Sequence, residues 1–236
     1  MHDSFQEARG NLRIYCRVKP LMKGTQKSII SYPEKIWRGN ERADEGLKTI
    51  DVKIKDRLTT YFFDHVFDES SAQSDVFETI KPFFQSAIDG DQVCILAYGQ
   101  TGSGKTYTLE GPNLVNSATI TENAGVLPRA VDFIFKEVER LSLVSKIEVF
   151  ISALEIYNET LHDLLSGETE SSEKNNGGEK LTISFAKNRV HVHGLEWIKI
   201  QNNEQMLSLL SKASKNRATD KTGWNDRLDR IDIPQN

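Results

Sequence analysis

The middle of the chain reads Val93-Cys94-Ile95-Leu96-Ala97-Tyr98 and then Gly99-Gln100-Thr101-Gly102-Ser103-Gly104-Lys105-Thr106, an apolar segment followed at once by a glycine-rich loop. The apolar run predicts a short buried strand. The loop has the complete GxxxxGK[ST] pattern of a phosphate loop. The sequence therefore predicts a nucleotide site at the carboxyl end of a strand.

Each residue type in this loop fits the binding of a nucleotide phosphate. Glycines let the backbone turn tightly, so that several N–H groups point at one phosphate. Lys105 adds a cation beside the terminal phosphates, and the Thr106 hydroxyl is placed to ligate Mg²⁺. A helix that begins after the loop favours the same anion through its N-terminal dipole. A glycine-rich turn without a ligand would not need the Lys-Thr pair.

The composition limits the class of protein. The chain has 236 residues, of which 38% are hydrophobic, and a formal net charge of -4. This length predicts one sizeable core and one domain. The charge gives no overall attraction to nucleic acid or to an anionic membrane. No apolar run approaches the ~20 residues of a membrane span. We expect a soluble protein without nucleic-acid or membrane partners.

The two cysteines, Cys16 and Cys94, both lie in apolar strand patterns and have no metal-ligand spacing. Unpaired thiols in such positions behave as small hydrophobic groups. They fit a reducing, intracellular compartment, and the N-terminus has no apolar core of signal-peptide length.

Hydrophobic periodicity predicts strands that alternate with helices. Predicted strands cover residues 12–18, 50–54, 61–63 and 147–151, and the first three are expected in one sheet. Predicted helices run from a cap at Ser74 or Asp75 to Asp89-Gly90, over residues 126–138 and around residues 206–210. Residues 181–185 and 190–194 predict a hairpin. This order indicates an α/β sandwich with a largely parallel central sheet.

Two polar stretches predict loops between these elements. Residues 110–124 are predicted as a polar loop, and residues 166–180 as a mobile surface loop, because their side chains cannot bury enough apolar area to order the chain.

Several separated segments of the chain match the motifs of one protein family. They are Gly10–Pro20, Phe63–Phe67, Ala97–Gly111, Gly125–Ala130, and Glu155–Glu159 with the later Asp163-Leu164-Leu165. In this order they closely resemble the kinesin motor domain. The resemblance covers nearly all of residues 10–225, and its beginning is most similar to the C-terminal-motor kinesins, which are usually minus-end directed.

This resemblance implies an α/β fold of the P-loop NTPase type, a three-layer sandwich with a mixed central sheet that is incomplete at its C-terminal part. It also implies three parts of the chain. Residues 1–10 are expected to be a residual neck or stalk junction, residues 11–225 the N-terminal two-thirds of a motor domain, and residues 226–236 a divergent tail.

The resemblance assigns further site residues for ATP or ADP. Arg17 and Pro20 match the positions that pack on adenine in the family, and Tyr107 matches an aromatic that stacks on the base. Lys19 stands where the family commonly has a second arginine, which keeps the charge but loses the planar fork. An ordinary core tyrosine remains the alternative for Tyr107.

The resemblance implies microtubules as the partner, a place in the cytoplasm on microtubules or the spindle, and leaves a partner motor chain open. Lys187 and Arg189 match a region that touches tubulin in the family. Solvated hairpin charges are the equally good alternative for these two side chains.

For three other polar residues, a structural or solvated position is favoured over a metal-binding role. Glu155 could be read as an acidic Mg²⁺ residue, but the resemblance makes it a structural position. His191 and His193 share one face of a strand, and without a third ligand a solvated face is favoured over a metal site.

The end of the chain departs from the family. In the family a serine and an arginine of this segment close over the γ-phosphate. Leu228 and Asp229 stand where the family has two serines, while Arg230 retains the arginine. Leu228 cannot ligate Mg²⁺, and the Asp229 carboxylate would repel phosphate unless it bound metal itself. The family's later phosphate-sensing segment does not occur. We therefore assign no catalytic residue and expect very slow turnover.

Three hypotheses follow from the sequence. The chain is an ATP-hydrolysing, microtubule-stimulated motor domain, a nucleotide-holding but non-motile module that binds microtubules or a partner motor, or an inactive truncated product.

Overall fold

The computed structural model describes most of the chain as two compact units, Met1–Ile95 and Leu96–Asn236. The described residues are 12–21, 28–33, 47–112, 120–144, 146–166, 181–186 and 189–219. The predicted junction at residues 1–10, the tail at 226–236 and all but Ser166 of the predicted loop at 166–180 lie outside them.

The described residues of the first unit include a four-stranded mixed sheet. Its strands are β1 (Tyr15–Arg17), β2 (Ile30–Ser31), β3 (Leu47–Ile54) and β4 (Arg57–Phe67), in the order β1-β4-β3-β2. β1 pairs with β4 in parallel, and the other two pairs are antiparallel. The prediction that the first three apolar segments belong to one sheet is confirmed. Ile50 and Val66 form its small core, because alternate residues of each strand face the same side.

Helix α1 (Gln73–Asp89) follows this sheet. Ala72 precedes its first turn, so the predicted cap at Ser74 or Asp75 is wrong by two or three residues. The Asp75 carboxylate still stabilises the start, since it accepts a hydrogen bond of 2.8 Å from the Ala72 backbone N–H. The predicted end is confirmed, because Gly90 adopts the left-handed conformation with a φ of 115°.

The described residues of the second unit form three helices and three two-stranded antiparallel sheets. The helices are α2 (Lys105–Leu109), α3 (Val126–Leu141) and α4 (Asn203–Thr219). The strands are β5 (Val149–Ile151), β6 (Leu154–Tyr157), β7 (Thr160–Asp163), β8 (Thr182–Ala186), β9 (Arg189–His193) and β10 (Ile198–Ile200). They pair as β5 with β10, β6 with β7, and β8 with β9. The helices predicted near residues 126–138 and 206–210 and the predicted hairpin are therefore confirmed.

The core of the second unit lies where α4 meets β5 and β10. Its buried residues are Ile151, Leu164, Leu165, Ile200 and Ala213, and Leu165 is only 1% exposed. Burial of a leucine side chain contributes roughly 1.5–3 kcal/mol. This cluster fixes α4 to the strands and to the corner that follows β7.

The predicted buried strand at residues 93–98 is wrong for the described structure. No strand is formed there, and Leu96 and Tyr98 are 82% and 95% exposed. A central strand needs hydrogen-bonded neighbours on both sides, and no strand among the described residues pairs with this segment. The largely parallel sheet is also wrong for the described residues, since β1 and β4 form the one parallel pair there.

The two cysteines test the exposure of this segment. Cys94 is exposed, whereas Cys16 is half-buried and burial raises the pKa of its thiol. Cys16 therefore has less reactive thiolate and less access to reagent. We expect a maleimide to modify Cys94 at least about tenfold faster than Cys16, as measured by mass spectrometry on Cys16→Ser and Cys94→Ser variants.

The control is the same reaction on the fully denatured protein, in which both thiols should react at similar rates. Protection of Cys94 in the folded protein, equal to that of Cys16, would contradict the exposure of the segment.

Candidate functional site

The glycine-rich loop turns directly into helix α2. Gly102 and Gly104 have φ angles of 76° and 102°, a region that side chains with a Cβ rarely adopt. Gly104 caps the N-terminus of α2, and Thr108 donates a backbone hydrogen bond of 2.9 Å to its carbonyl. Ser103 closes the turn by donating its backbone N–H to Gln100. The two glycines thus permit the tight loop that the sequence predicts at this point.

Lys105 lies across the start of the loop. Its Nζ donates hydrogen bonds of 2.9 Å to the Gly99 carbonyl and 2.8 Å to the Gln100 carbonyl. The ammonium group is therefore held beside the loop backbone, where an anion bound to the loop would meet a positive charge.

The next two residues face solvent. Thr106 is exposed, and Tyr107 is 40% exposed. An exposed hydroxyl one residue after the lysine fits the position of a Mg²⁺ ligand, and an accessible aromatic ring fits a surface on which a base stacks. Exposure on this scale does not fit the alternative of a core tyrosine.

Two glycines, Gly111 and Gly125, are in close contact at the C-terminal end of α2. Gly125 donates its backbone N–H to the Glu110 carbonyl at 3.2 Å. A Cβ added at Gly125 would lie 2.6 Å from the backbone of Leu109 and Gly111, and a Cβ at Gly111 would lie 2.7 Å from the Asn123 carbonyl. The end of α2 therefore rests directly on the backbone that begins α3.

Glu110 lies at this junction and is only 8% exposed. Its Oε1 accepts a hydrogen bond of 2.7 Å from Arg217 Nη2, and its Oε2 accepts one of 2.8 Å from Ser214 Oγ. Both partners lie on α4. None of these three residues is predicted as part of the site, because a pairing across more than 100 positions leaves no signal in one sequence. The one visible signal is a glutamate directly after the phosphate-loop helix.

Arg17 and Pro20 belong to the first unit, whereas the phosphate loop and Tyr107 belong to the second. The Arg17 guanidinium donates a hydrogen bond of 2.8 Å to Gln73 Oε1, and Pro20 is exposed. The adenine contact of Arg17, Pro20 and Tyr107 stays a prediction.

The remaining candidates lie on hairpins. Glu155 pairs with His162 across β6 and β7, and its Oε2 is buried without a hydrogen bond. His193 Nε2 lies 2.6 Å from Ser184 Oγ. The part of the chain that the structure describes contains no group of three His, Cys, Asp or Glu side chains suited to a metal ion.

Other predicted site residues cannot be placed. Lys187, the Arg189 side chain, Leu228 and Asp229 lie outside the described residues. Among the described helices, none combines the length and the apolar character needed to cross a membrane.

Comparison with known proteins places these features in a family. A family model described as the kinesin motor domain matches residues 17–230. The protein claret segregational of Drosophila melanogaster is 35% identical over 237 residues, which cover 98% of this chain and 31% of the relative. The carboxy-terminal kinesin 2 of Xenopus laevis is 37% identical, with 98% of this chain and 36% of the relative covered. The chain thus spans about a third of the length of these curated relatives.

Solved structures give the same result. The C-terminal motor and motor homology domain of Kar3Vik1 matches with a TM-score of 0.73 and 29% identity, over 93% of this chain and 54% of the matched chain. A structure described as a fast kinesin matches with a TM-score of 0.70, also at 29% identity, over 91% of this chain and 55% of the matched chain.

The contact behind α2 gives a stability prediction. We expect Gly125→Ala to lower the free energy of unfolding by about 1–3 kcal/mol, because the new Cβ collides with backbone that cannot rotate away. Chemical denaturation measures this change.

Gly99→Ala is the matched control. Its Cβ would also lie 2.6 Å from another atom, but that atom is the Ser103 hydroxyl, which can rotate. Its effect should be smaller, less than about 1 kcal/mol. Equal stability of the Gly125→Ala variant and the unmodified protein would show that the junction is not tightly packed.

Proposed function

This chain belongs to the kinesin motor domain family, and from this membership we propose that it binds Mg-ATP at the phosphate loop and hydrolyses it slowly in a microtubule-stimulated cycle. It has the α/β fold of P-loop NTPases that this family shares. The observation that carries the proposal is the ordered loop from Gly99 to Thr106, with Lys105 held beside it.

The loop residues fit a nucleotide with its metal. The backbone of residues 99–104 would surround one phosphate, with Gly102 and Gly104 permitting the turn. Lys105 would exchange its two carbonyl contacts for phosphate oxygens. The exposed Thr106 hydroxyl would ligate Mg²⁺, which when bound neutralises charge on the phosphates. These residues bind and orient the nucleotide, and none of the described residues is assigned as the group that activates water.

The proposed partner is the microtubule. One matched relative is named carboxy-terminal kinesin 2. One matched structure contains the C-terminal motor and the motor homology domain of Kar3Vik1, fused to a synthetic heterodimeric coiled coil. From the family membership we propose tubulin contact through Lys187 and Arg189 of the β8–β9 hairpin, and a location on microtubules or the spindle. A second motor-like chain is the proposed further partner.

Lys105 supplies the main test. We expect Lys105→Ala to weaken the affinity for a fluorescent ATP analogue by about ten- to a hundredfold, because a charged hydrogen-bond donor to phosphate is removed. Phosphate release from Mg-ATP should be slow, should increase with microtubules, and should disappear in this variant.

Lys136→Ala is the matched control, because Lys136 pairs with Asp132 on the exposed side of α3. It should bind nucleotide as the unmodified protein does. Absence of nucleotide binding by the unmodified protein would overturn the proposal, and binding without any turnover, with or without microtubules, would support the nucleotide-holding module instead.

Tyr107 tests the adenine assignment. We expect Tyr107→Ala to weaken ATP binding by about fivefold or more, since base–aromatic stacking contributes roughly 1–3 kcal/mol, while Tyr107→Phe should bind normally. Equilibrium titration measures both variants, with inorganic triphosphate as a ligand that has no base. Equal weakening for ATP and for triphosphate would argue against stacking on the base.

A further inference from the structure

The carboxylate of Glu110 connects the helix after the phosphate loop to α4. Both of its oxygens are used, one by Arg217 and one by Ser214, and the two donors lie three residues apart on α4. Residues at this spacing share one face of a helix. The contact is therefore a two-point attachment between α2 and a single face of α4.

Charge and burial make this contact strongly dependent on both partners. The Glu110 side chain is 10% exposed, and the Arg217 side chain is 33% exposed. A buried carboxylate is stable only when it is paired and hydrogen-bonded. Removal of Arg217 leaves this carboxylate buried and without its cation, whereas removal of the Glu110 charge leaves an arginine that still reaches solvent.

α4 is itself held in place at this end. Asn216 Nδ2 donates a hydrogen bond of 2.8 Å to the Leu164 carbonyl, and Lys212 donates one to the Leu165 carbonyl. Ala213, one residue before Ser214, is part of the buried core with Leu165. The donors that hold Glu110 are thus attached to the most deeply buried part of the second unit.

The backbone of Glu110 connects the contact with α4 to the helix that follows the phosphate loop. Its N–H donates a hydrogen bond of 2.7 Å to the Thr106 carbonyl, and its own carbonyl accepts from Gly125. α2 has five residues. A helix this short has little stability of its own, so its orientation depends on the contacts at its ends.

We propose that Glu110 is a positioning residue of the nucleotide site. Held by Arg217 and Ser214, it fixes α2 and thereby sets the positions of Lys105 and Thr106, so that the nucleotide affinity of the loop depends on a contact that does not touch the nucleotide. This inference rests on the proposed function and adds α4 as the element that controls the site.

Glu110→Gln and Arg217→Gln are the main variants for the test. Both should weaken binding of the fluorescent ATP analogue, by about five- to fiftyfold, which lies within the range that is typical of coupling between two separate sites. Arg217→Gln should have the larger effect because of the unpaired carboxylate. Arg217→Lys should recover part of the affinity, and Ser214→Ala should lose the least.

Three measurements separate positioning from a general loss of stability. Affinities are determined on protein shown to be folded by thermal melting. Asp132→Asn, which breaks the exposed Lys136 pair on α3, should leave the affinity unchanged. In the double variant Glu110→Gln/Arg217→Gln, the two losses should not add, since both remove the same contact.

Amide hydrogen exchange without nucleotide provides a test that does not need the proposed function. Glu110→Gln should increase exchange in residues 105–111 and in the last turn of α4, while the amides of β5 and β10 stay protected. Unchanged exchange in residues 105–111 would overturn the inference, even if the unmodified protein bound no nucleotide. Normal affinity of folded Glu110→Gln, or additive losses in the double variant, would also overturn it.

Discussion

Burial of Leu165 at the corner after β7 is the constraint on which the second unit depends. This side chain is almost fully buried against Ile200 and Ala213. The backbone polar groups of Leu165 are satisfied by side chains, with Asp163 Oδ1 accepting from the Leu165 N–H at 2.8 Å and Lys212 donating to the Leu165 carbonyl. Burial and hydrogen bonding therefore fix the same few residues, and α4 is attached to them.

The elements that the sequence predicted well are those determined by local chemistry. The alternating residues of β3, the glycine that ends α1 and the apolar stripe of α3 each need only a few neighbouring positions to be recognised. The phosphate loop belongs to the same class, because its conformation follows from Gly102 and Gly104 and its charge from Lys105. The loop could be located to the residue on this basis, and its role as a nucleotide site stays a prediction.

What the sequence did not predict depends on distant parts of the chain. Val93–Tyr98 has the composition of a buried strand, but burial requires partner strands that are not among the described residues, and Tyr98 is almost fully exposed. A glutamate is usually solvated, yet Glu110 is buried because it is hydrogen-bonded to Ser214 and Arg217, which lie more than 100 positions later in the sequence. In both cases tertiary partners override the local preference.

The position of Lys105 has a consequence for the phosphate binding that we propose. Its ammonium group already neutralises two carbonyl dipoles of the loop, at Gly99 and Gln100. These two hydrogen bonds connect the loop to the helix that follows it, and they limit the conformations that the loop can adopt. If the loop binds phosphate as we propose, little chain entropy would remain to be lost on association, because the backbone is already held by its own lysine.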